Sequence, residues 1–163
     1  MTRNPFRPLV ICATLAVVLA VGLFMASNSI FVSRVSAASN PRKLHLVERV
    51  TNEHIIDIGS TGDSPGDLDV FSNPVYDAAN TKQIGHDAGS CIRTLVGQAY
   101  ECNWTIFLKD GQISVEGPYY DNADSMLAVI GGTGRYSKVH GEMKLHARGN
   151  PVGSEYDYVL FLG

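Results

Sequence analysis

The sequence predicts a small antiparallel all-β domain, closed into a barrel around an apolar interior. Beyond the first 40 residues, apolar and polar residues alternate at a period of two, as they do along half-buried strands. No stretch repeats apolar residues at three- and four-residue spacing for three turns, so no amphipathic helix is expected. Clusters of glycine, asparagine and aspartate separate the alternating segments, which is typical of tight turns. Seven or eight short strands of this kind form a sandwich or a barrel, and we expect the barrel.

The predicted elements follow one another at short intervals. Six segments alternate clearly, at residues 43–50, 68–76, 99–108, 112–119, 141–148 and 156–162. Turn signals lie at residues 59–66, 97, 110–111, 121–122, 131–134 and 149–150. In the third segment Trp104 shares its strand face with Cys102 and Ile106, because side chains two residues apart point the same way. We therefore expect this face to contribute to the core.

Residues 1–37 have the pattern of a secretory signal peptide. Arg3 and Arg7 form a basic start, residues 9–26 are a continuous, largely apolar run, and Val35-Ser36-Ala37 offers the small residues that a signal peptidase reads. A retained membrane anchor is the alternative, since the run is just long enough to span a bilayer. We expect residues 38–163 to be a secreted or extracytoplasmic domain, long enough for one hydrophobic core but not for two.

Two of the three cysteines belong to the predicted mature domain, Cys91 and Cys102, whereas Cys12 lies in the leader. If Val96-Gly97 is a two-residue hairpin turn, residues whose numbers add up to about 193 face each other. Cys91 then lies opposite Cys102, and an oxidising compartment permits a disulfide between them. Two reduced cysteines buried in the core are the alternative.

Composition and motif spacing exclude several classes of function. The net charge is −3 and the leader carries only basic charges, so the mature domain is more acidic still. An acidic surface without basic runs argues against nucleic acid and against anionic lipid. The glycines at residues 131–134 lack a phosphate-loop lysine, the five histidines lack zinc-ligand spacing, and the aspartates of residues 57–69 do not match a calcium loop. We expect no cofactor and no metal.

Three polar residues interrupt apolar strand faces. These are Glu48 on the first predicted strand, Asn73 on the second and Tyr119 on the fourth. A buried carboxylate must be paired, hydrated or protonated, because a lone buried charge is costly, and burial raises its pKa. Each residue also has a purely structural interpretation: a register that exposes Glu48, a turn that bonds Asn73, or a rim against which Tyr119 packs. Together they describe a few polar groups in an apolar cavity, as in small-molecule sites.

Several segments occur in one known family in the same order and at similar spacing. They are Ser64-Pro65-Gly66-Asp67-Leu68, Val115-Glu116-Gly117-Pro118-Tyr119 and Gly131-Gly132-Thr133-Gly134-Arg135-Tyr136, together with residues 71–77, 89–91, 128–130 and 140–145. From Ser64 to His146 the chain resembles the plant allene oxide cyclases, and its GGTG segment is also similar to the dirigent proteins. The resemblance implies an eight-stranded antiparallel β-barrel with a calycin-type hydrophobic cavity, commonly as a homotrimer.

The resemblance also implies a site. In these cyclases an unstable allene oxide is folded in the cavity and closed to a cyclopentenone. The matching positions imply Glu48, Asn73 and Tyr119 as catalytic residues, and Phe71, Cys91 and Phe107 as substrate-binding residues. Trp104, on the apolar face of its strand, is expected to be a further substrate-binding residue, since the family's site has aromatic walls. Val50 stands where the family has an asparagine, and the proline that helps to hold a water molecule has no clear counterpart.

Two functions are therefore expected as alternatives. The first is an isomerase or cyclase that folds and closes an unsaturated hydrophobic substrate, with no cofactor. The second is a non-catalytic, dirigent-like protein that binds and orients a small hydrophobic molecule. A purely structural domain without a cavity is a third alternative. In each functional case the partner is a small hydrophobic molecule, and a membrane would be a partner only if the leader is retained.

Overall fold

The computed structural model describes residues 42–163, which form ten β-strands and one 3₁₀ turn. The strands are β1 (Arg42–Arg49), β2 (Glu53–Ile56), β3 (Leu68–Phe71), β4 (Pro74–Asp77), β5 (Gln83–Leu95), β6 (Ala99–Leu108), β7 (Gly111–Tyr120), β8 (Ser125–Gly132), β9 (Gly141–Arg148) and β10 (Glu155–Leu162). The 3₁₀ turn is Gly134–Tyr136. The predicted leader lies outside the described residues. Among the described residues, no helix has the length and apolar character needed to cross a membrane.

The strands close into an antiparallel barrel. Hydrogen-bonded neighbours follow the order β5, β4, β1, β10, β9, β8, β7 and β6, and β6 pairs back with β5. Both β3 and β4 pair with β5, at its second and first half respectively, so they share one position in the barrel wall. The predicted eight-stranded antiparallel barrel is confirmed.

The segment predicted as one strand over residues 68–76 is divided into β3 and β4. Ser72 donates its N–H to the carbonyl of Asn52 at 3.0 Å and so turns toward β2. Pro74 has no N–H with which to continue the ladder. Asn73 remains attached to β5 through backbone hydrogen bonds to and from Asp87. The interruption therefore lies at a residue that was predicted to belong to the site.

Alternation along the strands fills the barrel. On β6, Cys102, Trp104 and Ile106 are at most 3% exposed, whereas the intervening Glu101 and Asn103 face solvent. Each large apolar side chain buried in this way contributes about 1.5–3 kcal/mol. The inward faces of β1, β7, β8, β9 and β10 complete one continuous core.

Gly89 allows the largest core side chain to pack close to β5. It lies directly opposite Trp104 in the β5–β6 register. A Cβ atom at Gly89 would overlap the carbonyl oxygen of Asn103 and the Cβ of Trp104. A residue without a side chain is needed here because the backbone and the indole approach so closely.

The β5–β6 hairpin confirms the predicted register but corrects its turn. Cys91 pairs with Cys102, and the two form a disulfide, so the alternative of two reduced cysteines is wrong. The turn comprises residues 96–98 rather than Val96-Gly97 alone, because Leu95 pairs with Ala99. An irregularity after Arg93 compensates for the extra residue, as bulges do in hairpins.

Strand β2 was not predicted. It has only four residues, all exposed, and it pairs only with β3. Its register brings Glu53 opposite Phe71 and Ile55 opposite Asp69. β2 therefore extends the sheet beyond the barrel wall, next to the cavity described below.

Candidate functional site

The barrel contains a cavity of about 300 Å³ that opens beside β2. Its wall combines six aromatic side chains with four carboxyl groups and one guanidinium. The lining residues are Glu48, Val50, Glu53, Ile55, Asp69, Phe71, Asn73, Cys91, Arg93, Tyr100, Cys102, Trp104, Tyr119, Asp121, Leu145, Tyr156 and Tyr158. A concave, mostly apolar space with a few convergent polar groups is the usual form of a small-molecule site.

The structure brings together six of the seven residues predicted for the site. Each of them lines the cavity: Glu48, Asn73, Tyr119, Phe71, Cys91 and Trp104. Phe71 and Trp104 form an edge-to-face pair with ring centroids 6.0 Å apart. The sulfur of Cys91 forms the disulfide with Cys102. Cys91 therefore lines the cavity without offering a free thiol.

Phe107, which was predicted to bind the substrate, does not line this cavity. Its ring stacks on that of His86 with centroids 4.6 Å apart. Phe107 is one residue from Ile106 and three from Trp104, both of which point inward. An odd separation along a strand places a side chain on the opposite face, so Phe107 lies outside the barrel. The resemblance misplaced a residue that period-two counting alone assigns correctly.

Asn73 is fixed in one orientation by its neighbours. Its Oδ1 accepts the backbone N–H groups of Thr51 at 2.8 Å and Asn52 at 2.9 Å. Because the oxygen of the amide serves these two donors, the nitrogen must point the other way. Asn73 Nδ2 accordingly donates to Glu48 Oε1 at 2.7 Å. The turn after β1 thus holds the amide that orients the carboxyl group of Glu48.

Two further residues complete this cluster, and sequence reasoning missed both. Tyr158 on β10 and Asp87 on β5 are 1% and 0% exposed. The Tyr158 hydroxyl lies 2.6 Å from Glu48 Oε2 and 2.9 Å from Asp87 Oδ2. Asp87 Oδ1 accepts the backbone N–H of Asn73 at 3.1 Å. We refer to Glu48, Tyr158 and Asp87 as the carboxyl–phenol chain.

Counting protons in this chain shows that one of its two carboxyl groups must be protonated. A phenol has a single proton and can donate to only one of two carboxyl groups. If Glu48 is protonated, it donates to the Tyr158 oxygen, Tyr158 donates to Asp87, and the remaining oxygens accept from Asn73. Every polar atom is then satisfied with one negative charge, as buried groups require.

The electrostatics place that proton on Glu48. Burial, followed by the charge of Asp87, raises the pKa of Glu48 to about 8. Burial also raises the pKa of Asp87, to about 6, while hydrogen bonds from Tyr158 and the Asn73 backbone oppose the shift. Glu48 faces the cavity and Asp87 does not. The cavity is therefore lined by a neutral carboxylic acid at neutral pH.

A second pair of hydroxyls lies in the cavity wall. The Tyr119 and Tyr156 oxygens are 3.0 Å apart, and either can donate to the other. Burial and the bond to Tyr119 raise the pKa of Tyr156, so the Tyr156 hydroxyl keeps its proton. One hydroxyl proton of the pair is left over, because two phenols share one bond. It is available to an acceptor on a bound molecule.

Charged groups lie at the other side of the cavity. Arg93 contacts Asp63 Oδ1 through Nε at 2.6 Å and Asp121 Oδ2 through Nη1 at 2.8 Å. The guanidinium carbon also lies 3.6 Å from the ring centroid of Tyr100. Among residues 42–163, no group of three or more histidine, cysteine, aspartate or glutamate side chains is arranged to hold a metal ion.

The site residues that were not predicted differ in how clearly the sequence pattern indicates them. Tyr156 and Tyr158 lie in a segment predicted as a strand and alternate with Leu160 and Leu162, so period-two counting would place them inside. Asp87 lies in β5, whose first half was not predicted at all. A buried carboxyl in an unpredicted strand leaves no pattern to find.

The comparisons with known proteins agree with this architecture. The allene oxide cyclase family model matches residues 45–161. A solved structure of pyocyanin demethylase is 30% identical, covers 75% of this chain and 100% of that chain, and superposes with a TM-score of 0.65. The pterocarpan synthase dirigent protein GePTS1 is 15% identical, with coverage of 74% and 87% and a TM-score of 0.60. The Diels-Alderase AbmU from Streptomyces koyangensis is 16% identical, with coverage of 74% and 62% and a TM-score of 0.59.

The last two similarities establish a shared barrel, and the family match covers nearly all of the described domain. The chain belongs to the allene oxide cyclase family.

Proposed function

We propose that the protein is a cofactor-independent acid–base catalyst that isomerises or closes a compact, unsaturated hydrophobic molecule in the barrel cavity. The observation that carries this proposal is the carboxyl–phenol chain, which keeps a neutral carboxylic acid at the cavity surface. Acids with a pKa near the working pH are the most effective proton donors. Perturbed carboxyls in a cleft are typical of functional sites.

The size of the cavity limits the substrate. A volume of about 300 Å³ is at the lower end of the range for ligand pockets. Such a space favours a ring system or a short folded chain over a fully extended fatty acid. Six aromatic walls, among them Trp104 and Phe71, suit a flat unsaturated molecule.

The proposed mechanism uses three groups. Glu48 donates its proton to an oxygen or nitrogen of the bound molecule, and Tyr158 with Asp87 lowers the cost of the resulting carboxylate by hydrogen bonding. The Tyr119–Tyr156 pair donates to a second acceptor and fixes the orientation. After bond rearrangement the proton returns to Glu48, so the reaction has no net acid or base requirement. Restriction of a flexible substrate by the walls contributes further to the rate.

The test compares Glu48→Gln with a matched control, Glu116→Gln, on the exposed outer face of β7. An allene oxide that carries no carboxylate is generated in situ, and the rate and enantiomeric excess of the cyclopentenone are measured. We expect the wild type and Glu116→Gln to enrich one enantiomer and Glu48→Gln to lose at least ~100-fold in rate. A racemic product at the blank rate with wild-type protein would eliminate the cyclase form of the proposal. Hydrophobic-dye binding that survives in Glu48→Gln without any turnover in the wild type would support a dirigent-like role instead.

Demethylation of a phenazine is a second candidate, favoured by the similarity to the whole of the solved chain of pyocyanin demethylase. A tricyclic phenazine fits the compact aromatic cavity better than a long chain does. Incubation with pyocyanin, followed by mass spectrometry, should reveal a product lacking one methyl group if this candidate applies. Pyocyanin recovered unchanged would exclude it, whichever result the allene oxide gives.

We further propose that the domain works outside the cytoplasm. The leader pattern of residues 1–37 and the Cys91–Cys102 disulfide support this proposal, because disulfides persist in oxidising compartments. Expression of the full chain followed by intact-mass analysis of the medium and cell fractions tests it. We expect a mature chain beginning at Ala38 outside the cytoplasm. A full-length chain retained with membranes would show that the leader is an anchor.

A further inference from the structure

We infer that the cavity selects a flat, positively charged heteroaromatic ligand and rejects a carboxylate. This inference rests on the proposed function only in taking the cavity as the substrate site. It goes further by assigning the charge of the ligand. Three features of the wall support it. A guanidinium is already paired with carboxylates, two further carboxyl groups have no basic partner, and aromatic faces line the same cavity.

The basic side chain in the described wall is already flanked by two carboxylates. Arg93 forms ion pairs with Asp63 and Asp121, and its guanidinium lies over Tyr100. A carboxylate on a ligand would have to compete with both of them for one guanidinium.

Glu53 and Asp69 form the uncompensated pair. Both line the cavity, and within residues 42–163 neither forms an ion pair with a basic side chain. Asp69 is half-buried and its protonated form hydrogen-bonds to Glu53, so burial and this neighbour raise the pKa of Asp69 to about 7. Two neighbouring carboxyl groups therefore line the cavity without a cation beside them in residues 42–163. A charge in such a position favours a cationic partner.

The aromatic walls suit a delocalised cation. Faces of Trp, Tyr and Phe attract positive charge, most strongly where water is excluded. Trp104 is 3% exposed, and its indole Nε1 has no hydrogen-bond partner within residues 42–163. An N-alkylated heteroaromatic ring is a flat, delocalised cation of the kind that such aromatic faces attract.

Three probes of nearly the same shape test the charge preference: N-methylphenazinium, phenazine and phenazine-1-carboxylate. Trp104 is the single tryptophan, so quenching of its fluorescence, corrected for probe absorption, reports binding in the cavity. At neutral pH and low salt we expect the cation to bind about tenfold more tightly than phenazine. The carboxylate should bind more weakly than phenazine.

Substitutions then locate the cause of the preference. Glu53→Gln with Asp69→Asn should remove most of the tenfold preference for the cation over phenazine. Glu53→Gln alone, at an exposed position on β2, should remove part of it without endangering the fold. Asp124→Asn serves as the matched control, since Asp124 is an exposed carboxylate paired with Lys144 outside the cavity.

The outcomes separate this inference from the proposed function. Equal affinity for the cation and for phenazine, or a preference that survives both substitutions, would overturn the inference and leave the catalytic proposal standing. Tighter binding of the carboxylate would also overturn it. If none of the three probes binds, neither the inference nor the assignment of the cavity as the substrate site holds. If the cation binds more tightly than phenazine but Glu48→Gln leaves turnover unchanged, the inference holds and the catalytic proposal fails.

Discussion

At the scale of single residues, the site depends on where one proton resides. Glu48 and Asp87 are both buried and both contact the Tyr158 hydroxyl. Two ionised carboxylates sharing one phenol would leave an acceptor without a donor and two like charges in a low-dielectric interior. Protonation of Glu48 removes both problems. The same proton that stabilises the fold is the one proposed to react.

Replacing Tyr158 by phenylalanine tests the chain directly. The change removes the shared hydroxyl, so Glu48 loses its acceptor and Asp87 loses its donor. We expect the free energy of unfolding at pH 6 to fall by about 1–3 kcal/mol, the usual cost of leaving buried polar groups without partners. Urea unfolding followed by circular dichroism measures it. Tyr156→Phe is the matched control, because within residues 42–163 its hydroxyl is hydrogen-bonded only to that of Tyr119, and it should cost less than about 1 kcal/mol. Equal losses in the two variants would argue against a shared proton.

At the scale of elements, β5 organises the site. It pairs with β3, β4 and β6, and it places Asp87, Gly89, Cys91 and Arg93 at alternate positions on its inner face. Asp87 supplies the last carboxyl group of the carboxyl–phenol chain, and Gly89 leaves space for Trp104. Cys91 forms half of the disulfide, and Arg93 supplies the guanidinium. The strand was only partly predicted, because period-two detection depends on apolar residues at the inward positions. Where function requires polar or small residues inside, that signal disappears.

Gly89 is the position of β5 at which a small change should have the largest effect. In Gly89→Ala the new Cβ would overlap the backbone of Asn103 and the Cβ of Trp104. We expect the free energy of unfolding to fall by about 2 kcal/mol or more, as in other overpacked cores, and Trp104 fluorescence to shift. Ser90→Ala, one residue along the same strand, should stay within about 0.5 kcal/mol of the wild type. Unchanged stability in Gly89→Ala would mean that the two strands separate easily at this point.

At the scale of the whole molecule, the closed barrel was predictable and most of its site chemistry was not. Strands such as β6 and β9 carry apolar residues at every second position, so their alternation is sufficient to assign them. The β5–β6 register was predicted correctly with the wrong turn, since the irregularity after Arg93 absorbs the extra turn residue. The hydrogen bonds of Tyr158 to Glu48 and to Asp87 join residues that are 110 and 71 positions apart, and they depend on barrel closure. No local pattern encodes it.

Closure also makes the stability of the whole barrel depend on pH in a particular direction. The folded-state pKa values of Glu48, Asp69 and Asp87 are raised, to about 8, 7 and 6. The folded state therefore binds more protons than the unfolded state between about pH 4 and pH 8, and stability falls as pH rises through this window. Carboxyl groups with lowered pKa values, such as Asp67 and Asp157, change the stability of the fold only at pH values below this window. Their contribution is complete above about pH 5, so they do not mask the trend.

Thermal unfolding between pH 5 and pH 9 tests this linkage. We expect the melting temperature of the wild type to decrease steadily above about pH 5, because each proton bound only by the folded state is lost in turn. Glu48→Gln, which cannot ionise, should show a clearly shallower decrease, and Glu116→Gln on the outer surface should follow the wild type. The residual slope in Glu48→Gln belongs to Asp69 and Asp87. A wild-type melting temperature that rises toward pH 9 would contradict a protonated Glu48, and with it the acid proposed for catalysis, because a carboxylate stabilised by folding gives the opposite sign.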